Sequence, residues 1–313
     1  MRVLVLGAGA LGGYFGAMLL RGGADVAFLV RPRRAAQLAD RGLVVRTPTE
    51  AIEQRVKTVL AGQVDGHYDC VFLACKAYDL DSAIEAIAPA VGDGTAILPV
   101  LNGINHIALL SERFGAAHVL GGMTIVAATL TPEGDIIRQV GTPETMVFSE
   151  LTGAGEPRCE AIRNALVAGG IPGRISDQII AEMWTKFAGF ASNALIATLT
   201  RGHTGEIAAT SAGTGFVSAA FDECALVTTA EGFPPASTIR DLILEIHTRV
   251  GSTLAPSILA DLEAGRCTEG EHVLGDLLRR AELHGLEVPL IRAAVCSLQV
   301  HEARVAQHGA SGR

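Results

Sequence analysis

The chain of 313 residues is poor in cysteine, short of positive charge, and lacks long apolar runs free of glycine. Its six cysteines, Cys70, Cys75, Cys159, Cys224, Cys267 and Cys296, show neither C-x-x-C nor zinc-ligand spacing, which excludes a disulfide scaffold. They read as small buried thiols in a reducing cytosol. Lys and Arg number 25 against 33 Asp and Glu, and a net charge of −8 argues against a nucleic-acid partner. The nine histidines show no paired ligand spacing, so no metal site is expected. His301-Glu302 opens an H-E-x-x-H pattern, but position 305 is Val. Hydrophobic residues at 49% and charged residues at 19% exclude intrinsic disorder.

One charge-free stretch, Val3 to Leu20, has the length of a membrane span or signal peptide. It contains Gly7, Gly9, Gly12, Gly13 and Gly16, too many for a helix interior. A strand, a turn and a helix in succession account for it better. The expectation is a cytoplasmic protein without targeting segments or a membrane partner.

Strand and helix signals alternate through the first half. Arg2–Leu6 and Asp25–Val30 read as strands flanking a helix over Ala10–Gly22. Leu43–Val45 and Arg55–Val59 read as two more strands, a candidate hairpin. Asp69–Cys75 is a buried strand, Asp79–Ala88 a helix and Thr95–Val100 a strand. Residues 118–150 hold three further β-rich runs. Beyond Ile175 the period becomes helical, with segments near 177–199, 204–231, 236–250, 256–264, 269–284 and 289–307. The fold class is therefore α/β: a Rossmann-type doubly wound sheet over 1–175, then an all-α domain over 176–313.

Gly7-Ala8-Gly9-Ala10-Leu11-Gly12 fits G-x-G-x-x-G between a strand and a helix, the context that gives this motif its force. Gly7 permits the turn, Gly9 lets backbone approach a pyrophosphate, and Gly12 lets helix and strand close together. The helix N-terminus offers its unpaired N–H groups to the anion. Strand two ends in Val30-Arg31-Pro32-Arg33-Arg34, with no acid to accept from a ribose 2′-hydroxyl. Arginine suits a 2′-phosphate, so the cofactor reads as NADP(H), with Arg31 the leading contact and Arg33 or Arg34 assisting. A merely solvated basic turn is the other reading of these arginines.

Within 177–199, Lys186 shares a helix face with Ile179, Met183, Phe190 and Asn193. Desolvation there would lower its pKa and suit an acid working near neutrality, unless the side chain snorkels from the helix edge.

These residues resemble the ketopantoate reductases (2-dehydropantoate 2-reductases) along nearly the whole chain. The resemblance lies in the glycine turn with Arg31, in Leu73-Ala74-Cys75-Lys76-Ala77 and in Leu98-Pro99-Val100-Leu101-Asn102-Gly103. It continues in Met183-Trp184-Thr185-Lys186-Phe187, in Pro256-Ser257-Ile258-Leu259-Ala260-Asp261 and in Cys267-Thr268-Glu269. It implies reduction of ketopantoate to pantoate, a step of pantothenate biosynthesis, on a small-molecule 2-keto acid. Lys186 matches the general acid and Glu269 the acid that binds and orients substrate. Ser257 matches a substrate-contacting hydroxyl, Asn102 an asparagine near nicotinamide and substrate, and Lys76 a cofactor-side lysine. On pattern alone Ser257 reads equally as a helix cap and Glu269 as an exposed first-turn acid.

The chain departs from the family where Asn commonly stands four and eight residues after the lysine. Phe190 and Ala194 stand there, and Asn193 is the candidate substitute contact with substrate. Two alternatives stay open: a same-fold NADP-dependent dehydrogenase on another 2-keto or hydroxy acid, and a non-catalytic NADP(H)-binding sensor. The helical half is a candidate homodimer surface.

Overall fold

The structure, a computed structural model, describes residues 1–139, 144–152, 157–252 and 256–311. It divides into two compact units, Met1–Leu101 with His106–Ile180 and Asn102–Asn105 with Ala181–Arg313. The described strands are β1 (Arg2–Leu6), β2 (Asp25–Leu29), β3 (Leu43–Arg46), β4 (Ala51–Gln54), β5 (Lys57–Val59), β6 (Cys70–Leu73), β7 (Ala96–Pro99), β8 (Leu120–Ile125), β9 (Ala128–Leu130), β10 (Ile136–Arg138), β11 (Thr145–Glu150) and β12 (Gly173–Ile175). The helices of the first half are α1 (Ala10–Arg21), α2 (Pro32–Arg41), α3 (Leu80–Ile87), α4 (Asn105–Phe114) and α5 (Pro157–Ala168).

A parallel sheet in the order β5-β2-β1-β6-β7 carries the first unit. Its strands alternate between two cores. Val3, Val5, Val26, Phe28 and Phe72 face Phe15 and Met18 of α1 and Ile162 and Leu166 of α5. Leu4, Leu6, Ala27, Val71 and Leu73 face Leu80, Ile84 and Ile87 of α3 and Leu110 of α4. Period two with both faces apolar is what a sheet wound on both sides requires. Burying each fully covered Phe contributes roughly 1.5–3 kcal/mol. Gly16 lets α1 lie on this sheet, because a Cβ there would fall on the Phe28 ring. The chain leaves β1 in one direction for β2 and returns to its other side for β6, so the switch point lies at the carboxyl ends of β1 and β6.

The candidate hairpin is corrected by the pairing. β3 pairs antiparallel with β4, whereas Lys57–Val59 joins the parallel sheet beside β2. Residues 118–150 hold four described strands rather than three. Those additions form two small sheets, β4-β3-β10-β9 and β12-β11-β8. The expectation of uniformly buried thiols also fails: Cys267 and Cys296 are exposed.

The helices that follow are α6 (Ile179–Thr200), α7 (Thr204–Ala208), α8 (Gly213–Ala230), α9 (Ser237–His247), α10 (Ser257–Glu263), α11 (Asp276–Leu283) and α12 (Pro289–Ser311). Among the described residues no strand follows Ile175. The expected helix over 204–231 is broken into α7 and α8. Gly213 makes the break fit, since a Cβ there would fall on the Ile207 carbonyl oxygen. The expected helix over 269–284 is a π-turn at Glu271–Gly275 running into α11. Such turns take up an extra residue and are frequent at functional positions. Trp184 on α6 stacks on Phe233 with ring centroids 5.4 Å apart, and the Arg280 guanidinium lies 5.0 Å from the Trp184 ring. Arg280 is held in turn by Asp276 at 2.9 Å and Glu231 at 2.6 Å. This fixes α6 against α11 two residues before Lys186.

Candidate functional site

The glycine turn follows β1 directly. Gly7 has φ +89°, a conformation that disfavours a side chain. A Cβ on Gly12 would fall on the Gly7 carbonyl oxygen, so only glycine lets α1 start this close to the strand. A Cβ on Gly9, by contrast, would meet nothing within 4 Å: the backbone there borders open space. The first turn of α1, from Ala10 and Leu11, has no acidic residue and no side-chain cap. Unpaired N–H groups of a helix start beside open space, with no competing carboxylate, fit a dinucleotide pyrophosphate. Ala8 is buried behind the turn.

The arginines after β2 separate into different tasks. Arg31 immediately precedes α2, and its exposed guanidinium lies 2.6 Å from Asp79, Nη2 to Oδ1. Arg33 is exposed. Arg34 turns inward: its Nε donates to the Ala8 carbonyl at 2.9 Å and its Nη1 to the Gly134 carbonyl at 3.0 Å. Two of the Arg34 guanidinium nitrogens thus brace backbone carbonyls, one of them in the glycine turn, whereas Arg31 and Arg33 stay exposed. Lys76 is half-buried where β6 ends, one residue before the short 3-10 turn Ala77–Asp79.

The helical unit gathers a second group. Lys186 is only half-buried by surface, yet protein crowds its ammonium. Desolvation brings its pKa down to about 8, and the nearby Glu269 charge opposes the fall. Glu269 is 9% exposed, and its Oε2 accepts a long hydrogen bond from Asn102 Nδ2 at 3.4 Å. His272, in the π-turn, packs against Gly103 and hydrogen-bonds the Asn102 backbone. Burial pushes the His272 pKa down, against the charges of Asp276 and Glu269.

Not every expected residue joins this group. Asn193 pairs with His247 on α9, Oδ1 to Nε2 at 2.5 Å. His247 is almost fully buried, and that burial holds its pKa below the usual histidine value. Ser257 is exposed as the first residue of α10. Ala194 is fully covered and Phe190 half-buried. Sequence reasoning overlooked Asp79, Thr268 and His272. Thr268 had already been quoted within Cys267-Thr268-Glu269, but without a task.

Two family models match the chain. One, described as Ketopantoate reductase PanE/ApbA, matches residues 3–153. The other, Ketopantoate reductase PanE/ApbA C terminal, matches residues 178–302. The chain is 33% identical to the uncharacterized oxidoreductase YkpB of Bacillus subtilis (strain 168), covering 97% of this chain and 99% of that protein. Among solved structures it is similar to the 2-dehydropantoate 2-reductase from Geobacter metallireducens GS-15, with a TM-score of 0.86 and 27% identity over 96% of this chain and 99% of that one. A D-mandelate dehydrogenase solved with NADH and anilino(oxo)acetate shares the fold, with a TM-score of 0.88 and 21% identity over 98% of this chain and 100% of that one.

Proposed function

The chain belongs to the ketopantoate reductase family of oxidoreductases, and from that premise we propose that it reduces the ketone of a 2-keto acid with NADPH, 2-dehydropantoate to pantoate being the leading case. The observation that carries this reading is the grouping of Lys186, Glu269 and Asn102 in the helical unit, where Asn102 Nδ2 donates to the Glu269 carboxylate and burial lowers the Lys186 pKa to about 8. A group with that pKa is protonated near neutrality and still able to give its proton up.

When bound, the nicotinamide supplies the hydride. The protein's residues do the rest. The turn from Gly7 to Gly12 would hold the pyrophosphate through backbone N–H groups, and Arg31, paired here with Asp79, would hold the 2′-phosphate. Lys76 and Asn102 line the cofactor side. Lys186 donates an N–H bond to the ketone oxygen and delivers its proton as negative charge develops there. Glu269 keeps the ammonium charged and accepts from a substrate hydroxyl, with Asn102 Nδ2 orienting its carboxylate. Ser257 is assigned a further contact with substrate.

A second reading concerns the substrate. Phe190 and the covered Ala194 replace amides with apolar surface, and Asn193 is taken up by His247. A site short of partners for a substrate hydroxyl loses discrimination in its favour. These positions favour a 2-keto acid with a larger apolar side chain, and the dehydrogenase of similar fold was solved with an aromatic oxo acid. NADPH oxidation measured against ketopantoate and a panel of branched and aromatic 2-keto acids tests both readings. Turnover with none of them would overturn the assignment as a reductase. A preference for phenyl-substituted acids would move the substrate but keep the chemistry.

A further inference from the structure

We infer that Glu302 is a positioning residue for Glu269, clasping the turn that carries it from the neighbouring helix α12. The inference rests on the role proposed for Glu269 above. One oxygen of Glu302, Oε1, accepts two hydrogen bonds from Thr268, from its backbone N–H and from its Oγ1–H, each 2.8 Å long. The Cys267 thiol also hydrogen-bonds Glu302. Bonds to an ionised acceptor are roughly twice as strong as neutral ones. Thr268 Oγ1, with its proton given to Glu302, accepts from the Gly270 N–H at 3.2 Å. The residues on both sides of Glu269 are thus tied through one threonine to one carboxylate.

A second contact from the same helix face holds the turn. Leu298 stands one turn before Glu302 on α12, and a Cβ on Gly270 would lie 2.5 Å from its Cδ1. Gly270 is seated against Leu298, whose side chain would have to shift to admit a Cβ. Thr268 and Glu269 are 6% and 9% exposed, so these bonds form where water competes poorly. A glutamate placed only to solvate α12 would point outward. This one points at the backbone next to Glu269.

The chemical purpose follows from the reaction. Glu269 acts on Lys186 by charge and on substrate by accepting a hydrogen bond, and both depend steeply on where its carboxylate stands. Misplacement by about 1 Å can cost on the order of a hundredfold in rate. Loss of the clasp lets the turn relax while the glycine turn and α6 keep their structure.

The test uses the full-length enzyme with NADPH and the 2-keto acid it turns over fastest. Glu302→Ala is expected to lower kcat/KM by about 10- to 100-fold. NADPH affinity, read by cofactor fluorescence, is expected to stay within about twofold. Glu302→Gln keeps an oxygen that accepts both Thr268 bonds and is expected to recover most of the loss. In Glu302→Ala the alkaline limb of the kcat/KM profile should move to lower pH, because a displaced Glu269 no longer holds up the Lys186 pKa. Thr268→Val removes the Oγ1 bond to Glu302 and the acceptor of the Gly270 N–H, keeps the backbone bond to Glu302, and should show a loss in the same direction. If Glu302→Ala fails to fold, Thr268→Val decides, and wild-type kcat/KM there overturns the inference. Wild-type kcat/KM in Glu302→Ala, or equal losses in the Ala and Gln variants, overturns it as well. Glu269→Gln separates this inference from its premise: an impaired Glu269→Gln beside an unimpaired Glu302→Ala sinks the clasp alone, whereas an unimpaired Glu269→Gln removes the role of Glu269 itself.

Discussion

Arg31 and Asp79, 48 positions apart in sequence, meet as an ion pair, Nη2 to Oδ1 at 2.6 Å, with the arginine side chain 76% exposed. The pair puts a carboxylate in competition with any phosphate that Arg31 is to hold. Asp79→Asn is therefore expected to tighten NADPH binding, by about 3- to 10-fold at low ionic strength, with the gain shrinking as salt screens the charges. NADH, which lacks the 2′-phosphate, should gain nothing. Fluorescence titration of both cofactors checks this, and unchanged NADPH affinity in the variant would remove Asp79 from cofactor selection.

The glycine turn supplies a paired prediction. A Cβ on Gly9 meets nothing within 4 Å, so Gly9→Ala should fold with a near-native melting temperature yet bind NADPH at least tenfold more weakly, because the methyl fills the space the pyrophosphate needs. Gly12→Ala drives a methyl into the Gly7 carbonyl and should lose stability as well as binding. Thermal unfolding without cofactor distinguishes the two.

Lys186 should govern the alkaline side of the rate profile. Its pKa is lowered to about 8, and the proposed role as proton donor requires the protonated form. The rate is therefore full below that value and falls as pH rises through it. Lys186→Ala is expected to lower kcat/KM by about 10²–10⁴-fold and abolish that limb. Full turnover by the alanine variant would end the assignment of general acid.

Phe190→Asn restores the amide commonly found in the family four residues after the lysine. It should raise kcat/KM for ketopantoate relative to an aromatic 2-keto acid by about 10- to 100-fold. A ratio unmoved by the substitution would show that Phe190 does not touch substrate.

The parallel sheet and the glycine turn could be read from the chain because their signals are local. β1 and β2 alternate between two apolar faces, and the glycines stand at fixed steps after a strand. Helix α5 escaped because its buried residues, Cys159, Ile162 and Leu166, are few and sit among charged neighbours, although their spacing is helical. Helix α2 escaped because Arg31-Pro32-Arg33-Arg34 reads as a solvated turn. The exchange of β4 for β5 in the hairpin turns on strands of four and three residues, too short for pattern to choose between. Within the site, Lys186 stood out by its apolar face, but its task came from resemblance. Thr268 and Glu302, and likewise Arg31 and Asp79, are joined only by the tertiary fold, and no periodicity couples positions so far apart.

Arg34 carries a lesson for anyone redesigning cofactor choice. Its guanidinium bridges the Ala8 carbonyl and the Gly134 carbonyl, tying the first βα bend to the loop between β9 and β10. Exchanging the whole arginine cluster to favour NADH would dismantle that brace along with the phosphate contact proposed for Arg31. A switch confined to position 31 leaves the cradle standing.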